Sequence, residues 1–243
     1  MIEFQNVSKS YKKGSKAVDG LNMTVNNGEI FGFLGPNGAG KSTTIRMLTG
    51  ILNIDEGKIL SEGHDITTEP IAAKRSFGYV PDSPDQFLSM KGIEYLNFIA
   101  DIYDVSDRAE KIRSLTEKFE IYNALNNQIE SYSHGMRQKL VLCGALLHDP
   151  VNWILDEPMT GLDPRSAFDL KEMMRAHADS GKCVFFSTHV LDVAEKICDR
   201  VGIINNGKLL FVGTLAEMRE QFKENTSLEQ LFLEITDHAE TNL

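Results

Sequence analysis

The chain has 243 residues, 42% of them hydrophobic and 25% charged, a balance that favours a folded domain over a disordered one. Its formal net charge of −10 argues against a broad grip on nucleic acid or anionic lipid, since both require a basic face. No apolar run is long enough to span a bilayer. The opening Met1-Ile2-Glu3-Phe4-Gln5 lacks the basic-then-apolar order of a secretory signal. Cys143, Cys183 and Cys198 form no C-x-x-C pair, so they are expected to be reduced thiols packed as small hydrophobes.

In chain order, residues 2–11 and 17–26 alternate like strands and are broken at Lys12-Lys13-Gly14-Ser15 and Asn26-Asn27-Gly28. Residues 29–34 are a short apolar run of the buried kind, ending at Gly35. A helical pattern starts at Lys41, with Ile45, Leu48 and Leu52 on one face, and residues 57–60 and 77–80 suggest two further strands. From about residue 86 to 147 the spacing turns helical: Ile93, Leu96, Ile99, Ala100 and Tyr103, then Ile112, Leu115 and Phe119. Short apolar runs return at 153–155, 183–186 and 201–204, with helical stretches at 165–178 and 191–198 between them. Strand–helix alternation on both sides of a helical insertion predicts an α/β sheet with helices on its faces.

Between the run ending at Leu34 and the helix at Lys41 lies Gly35-Pro36-Asn37-Gly38-Ala39-Gly40-Lys41-Ser42, followed by Thr43. This is G-x-x-x-x-G-K-[ST] in the strand–loop–helix setting that gives the pattern its meaning. Glycines let successive N–H groups turn inward as an anion nest, and the helix N-terminus adds partial positive charge. Lys41 places an ammonium on the β and γ phosphates, and the Ser42 hydroxyl suits Mg²⁺, which prefers hard oxygen ligands. The glycine spacing does not fit G-x-G-x-x-G, so a dinucleotide site is excluded. A second cluster follows an apolar strand: Trp153-Ile154-Leu155-Asp156-Glu157. Ligands gather at the C-terminal ends of parallel strands. There Asp156 is expected to hold Mg²⁺ through water, and Glu157 to orient or deprotonate an attacking water.

With these sites in place, the chain resembles the ATP-binding cassette (ABC) ATPases over nearly its whole length. Tyr132-Ser133-His134-Gly135-Met136 is similar to the family's signature motif, and Gly161-Leu162-Asp163 to its D-loop. Ser187-Thr188-His189 matches its switch histidine, and Tyr11 stands where the family stacks an aromatic ring on adenine. The resemblance implies a P-loop NTPase core with a mostly parallel sheet, an N-terminal antiparallel β subdomain and a helical insertion subdomain. It implies one domain over 1–243, with the nucleotide-binding core at 1–85 and 150–243 and the helical part at about 86–149. It also implies an ATPase using ATP and Mg²⁺. Residues 35–43 and Tyr11 would hold ATP, and Glu157, His189 and Lys41 would be catalytic. Two copies would pair head to tail, Ser133, Gly135 and Met136 of one facing the nucleotide of the other, with His134 projecting sideways. Asp163 would link the sites, cap the following helix, or do both.

There are two departures from the family pattern. Where the family has glutamine after Tyr-x-Pro, this chain has Asp82, which could join the Mg²⁺ ligands or swing away from them. Where the commonest signature has glycine, it has His134, tolerable only at negative φ. The resemblance further implies an integral membrane transporter subunit as partner, docking near residues 82–88, with Phe87, Leu88 and Phe98 as an apolar cleft or as plain core. The chain is then expected in the cytoplasm, peripheral on the inner face of the membrane, with no nucleic-acid partner. The signature variant and the chain's length favour export. The alternatives are a soluble ABC protein acting on ribosomes or DNA, and an unrelated P-loop kinase or GTPase. Helical spacing at 228–235 suggests a C-terminal dimer contact or a packing helix.

Overall fold

A computed structural model describes residues 1–12, 14–221, 229, 230 and 232. The expected helix at 228–235 lies outside the described residues except for Glu229, Gln230 and Phe232. The first sheet is antiparallel. Strand β1 (Ile2–Lys12) pairs with β2 (Ser15–Val25) on one side and, beyond β3 in sequence, with β4 (Glu56–Ser61) on the other. The two-residue β5 (His64–Asp65) completes the order β2-β1-β4-β5. Along β2 the side chains of Val18, Leu21, Met23 and Val25 are buried while Asn22 and Thr24 are exposed, the period-2 pattern of a half-buried strand.

The second sheet has the order β10-β9-β3-β8-β7-β6. Its members β3 (Ile30–Leu34), β6 (Phe77–Val80), β7 (Asn152–Asp156), β8 (Cys183–Thr188) and β9 (Arg200–Asn205) run parallel, and β10 (Lys208–Gly213) closes the edge antiparallel to β9. Every residue of β3, β7 and β8 is buried, because both faces are covered. Neighbours along each strand serve opposite cores. Trp153, Leu155, Val184 and Phe186 pack with Leu96, Ile112, Leu142 and Met174. Phe31, Phe33, Ile154 and Phe185 pack with Phe4 and the first sheet, and the Phe33 and Phe185 ring centres lie 5.6 Å apart. Burying each large side chain of this kind contributes on the order of 2–3 kcal/mol.

The helical stretch holds α3 (Gly92–Ile102), α4 (Arg108–Lys118) and α5 (His134–Leu146), with an isolated antiparallel bridge from Lys91, just before α3, to Gln128, ahead of α5. The other helices are α1 (Lys41–Leu48), α2 (Pro70–Arg75), α6 (Pro164–Asp179), α7 (Leu191–Ile197) and α8 (Leu215–Gln221). α1 stops before Leu52, because Gly50 at φ +70 turns the chain out of the helix. Among the described residues no helix is long and apolar enough to cross a membrane. Cys143 and Cys183 are buried and Cys198 half-buried, all unpaired, and burial pushes the Cys183 thiol up to about 12.

Candidate active site

The parallel sheet brings its chemistry to one edge. β3 runs into the 35–42 loop, β7 ends in Asp156 followed by Glu157, and β8 is followed by His189. In the loop, Gly40 stands at φ +112 immediately before α1, and a β-carbon there would lie 2.5 Å from the Ala17 carbonyl oxygen. The Lys41 side chain curls back into the concavity, where Nζ donates to the carbonyls of Gly35 (2.6 Å) and Pro36 (3.2 Å). Burial pulls its pKa down, and the Glu157 and Asp156 carboxylates partly restore it. Nζ lies 3.7 Å from Glu157 Oε1. The ammonium is therefore held inside the loop, between the Gly35 and Pro36 carbonyls and the Glu157 carboxylate, at the place where the loop would cradle phosphate.

Asp156 is 1% exposed. Its Oδ1 accepts from Ser187 Oγ (2.6 Å) and Ser42 Oγ (3.3 Å), while Oδ2 is buried with no partner among the described residues. Burial raises its pKa, the two serine hydroxyls oppose that, and the Asp82 and Glu157 charges add to it. A buried carboxylate with one orphaned oxygen, beside a serine hydroxyl and a second acid, is a set of hard oxygens that fits Mg²⁺. Glu157 sits at φ +48, a left-handed backbone that aims its side chain off the strand. Its N–H donates to Ser187 Oγ (3.0 Å), and its Oε1 lies 3.0 Å from His189 Nδ1. Sequence reasoning did not assign Ser187 a role, yet it braces both acids. Its signal was a hydroxyl at the end of an otherwise apolar strand.

A cleft of about 430 Å³ joins Lys41, Ser42 and Glu157 to Tyr11, Asn37, Gly38, Thr43 and Asp82. Tyr11 is 59% exposed, and its hydroxyl is 3.3 Å from Thr43 Oγ1. Ser133, His134, Gly135 and Met136 lie elsewhere, at the start of α5. Ser133 caps that helix by accepting from the Met136 N–H (3.3 Å), and His134 keeps a helical backbone. Asp163 caps α6, accepting from the Ser166 N–H (3.0 Å) and hydroxyl (2.6 Å), and pairs with Lys139 of α5 (3.2 Å). The Ser166 bonds, then Lys139, hold the Asp163 carboxyl well below the usual carboxylate range. Lys139 is a second contact that sequence reasoning missed.

A phosphate-cradling loop, a lysine inside it, a strand-end aspartate on the following serine and an adjoining glutamate on a parallel sheet define a P-loop nucleoside triphosphatase. The family described as ABC transporter matches residues 18–160. The daunorubicin/doxorubicin resistance ATP-binding protein DrrA of Streptomyces peucetius is 36% identical over 92% of this chain and 68% of its own. A solved ATP-binding subunit of an ABC transporter superposes with a TM-score of 0.92 at 32% identity, over 97% of this chain and 99% of that one. A dimeric post-hydrolysis structure of the cassette MJ0796 with ADP and Pi shares the fold, with a TM-score of 0.80 at 21% identity over 88% of this chain and 99% of its own. The chain belongs to the ABC transporter family, as an ATP-binding subunit, and is an ATPase.

Proposed function

We propose that two copies of this chain close head to tail over two ATP molecules and so drive export through a separate membrane subunit. The observation that carries this reading is the separation of the signature residues from the cleft. The cleft is lined from the P-loop, Tyr11, Asp82 and Glu157, whereas Ser133 stands exposed at the N-terminus of α5, outside it. In the closed pair, Ser133 and the amides of His134, Gly135 and Met136 reach the γ-phosphate held by the other copy. Tyr11 stacks on the adenine. The 35–43 loop and Lys41 hold the β and γ phosphates. Ser42 and Asp156, with Asp82 beside them, hold Mg²⁺, which when bound neutralises phosphate charge. Glu157 orients the attacking water and accepts its proton, and His189, 3.0 Å from Glu157, fixes that carboxylate and contacts the γ-phosphate. Loss of the γ-phosphate removes the contacts that join the copies, and the pair opens.

Dimeric MJ0796 with ADP and Pi supports the pairing, and the resistance role named for DrrA supports export. The membrane subunit docks where Phe87 and Phe98 expose an aromatic patch, their ring centres 5.7 Å apart, while Leu88 packs against the core. Such a contact places the chain on the cytoplasmic face of the membrane. The domain is read as one unit, with residues 86–149 as its helical part. The test is the Glu157→Gln protein with ATP. Its mass in solution is expected to double, with kcat lowered about 100-fold or more. A mass that stays single with ATP bound overturns the head-to-tail reading.

A further inference from the structure

We infer that His134 is a positioning residue that latches the D-loop to the signature helix, and through it sets the backbone from which Glu157 projects. Gly161 stands at φ +77, and a β-carbon there would lie 2.2 Å from His134 Cδ2 and 2.9 Å from Nε2. The imidazole therefore rests directly on the Gly161 α-carbon. On the other side, a β-carbon at Gly135 would lie 2.8 Å from the Gly161 carbonyl oxygen. The Gly161 peptide sits between the exposed His134 ring and the Gly135 backbone: a side chain on Gly135 must displace the Gly161 carbonyl, and one on Gly161, already strained by its positive φ, must displace the ring.

The turn that this notch holds begins at Glu157. The Thr160 N–H donates to the Glu157 carbonyl (3.1 Å) and the Leu162 N–H to the Met159 carbonyl (3.3 Å), so residues 157–162 form consecutive turns. Glu157 itself sits at φ +48, a left-handed conformation that a side-chain-bearing residue keeps only where its surroundings hold it. The Ser187 hydroxyl holds the front of the turn through the Glu157 N–H, and His134 holds its back through Gly161. A glycine at 134 supplies no ring, so this chain carries a contact that the commonest form of the signature lacks. The consequence is that the element offered to the other copy's nucleotide and the group aimed at the chain's own nucleotide move as one body.

The inference rests on the reading of Glu157 as the water-orienting group, and its test separates the two. His134→Gly removes the ring, and His134→Phe keeps a planar ring over Gly161. In nucleotide-free protein, amide exchange across residues 157–162 is expected to quicken about tenfold in His134→Gly and about twofold at most in His134→Phe. In steady state, kcat is expected to fall about tenfold in His134→Gly with KM for ATP within about twofold, and His134→Phe is expected to recover most of the loss. Unchanged exchange or unchanged kcat in His134→Gly overturns the inference. So does a His134→Phe protein as slow as His134→Gly, or a raised KM at constant kcat, which marks a nucleotide contact. A Glu157→Gln protein that hydrolyses ATP at the parent rate would sink the reading of Glu157 and the inference with it.

Discussion

Single atoms decide what the phosphate loop tolerates. A β-carbon on Gly35 would lie 2.4 Å from the Ile204 carbonyl oxygen and 3.0 Å from the Ala39 Cβ, so Gly35→Ala must push β9 away from the loop. We expect it to cost about 1–3 kcal/mol in denaturant melts and to weaken ATP binding, measured by calorimetry. Asp82 is a different case: it lines the cleft but is exposed at the end of β6. Asp82→Gln is expected to bind ATP within about threefold of the parent, since the cradle is untouched and an exposed charge is worth little. A complete loss of binding would refute that placement. Most residues of this site were legible from the motifs, because P-loop chemistry needs fixed residue types at fixed spacing. Ser187 and Lys139 were not, since each acts on an acid remote in sequence and only the fold brings the partners together.

At the scale of elements, α5 is the part whose start matters most. Ser133 accepts from the Met136 N–H there, so Ser133→Ala is expected to destabilise the chain by about 0.5–1 kcal/mol while abolishing the ATP-dependent dimer of the Glu157→Gln protein. A melt and a mass measurement separate the two effects. Strands β1, β2, β3, β4, β6, β7, β8 and β9 and the longer helices were readable from period and apolar runs. β10 was not read, although its hairpin carried a signal: Asn206-Gly207, at φ +47 and +78, is a pair that two-residue turns favour. β5 has two residues, too few for any periodicity to register.

At the scale of the whole molecule, two histidines set a pH dependence. Burial pushes His148 and His177 down to about 4. His148 stacks on Tyr103 with ring centres 3.8 Å apart, and its Nε2–H donates to the Phe77 carbonyl (3.2 Å). His177 lies beside Trp153, ring centres 5.6 Å apart. Both are neutral in the fold, so their contribution is fully present above the unfolded value near 6.5 and is lost as pH falls from there towards 4. Thermal melts are expected to show Tm dropping between pH 7 and pH 5. His148→Phe keeps the stack and is expected to flatten that slope, and a parent-like slope in the variant would remove His148 from the account.

The sequence by itself determined the class of chemistry and most of the elements, because both follow from short-range rules. A glycine-rich loop before a lysine makes a phosphate nest, and apolar runs of strand length must be buried. The tertiary structure alone decided how those pieces lean on one another: Lys41 folded onto its own loop, Asp156 buried against Ser187 and Ser42, and the His134 ring lying against Gly161. The Asp156 and His134 contacts join residues far apart in the chain, and the energies of all three depend on distances of a few tenths of an ångström that only packing sets.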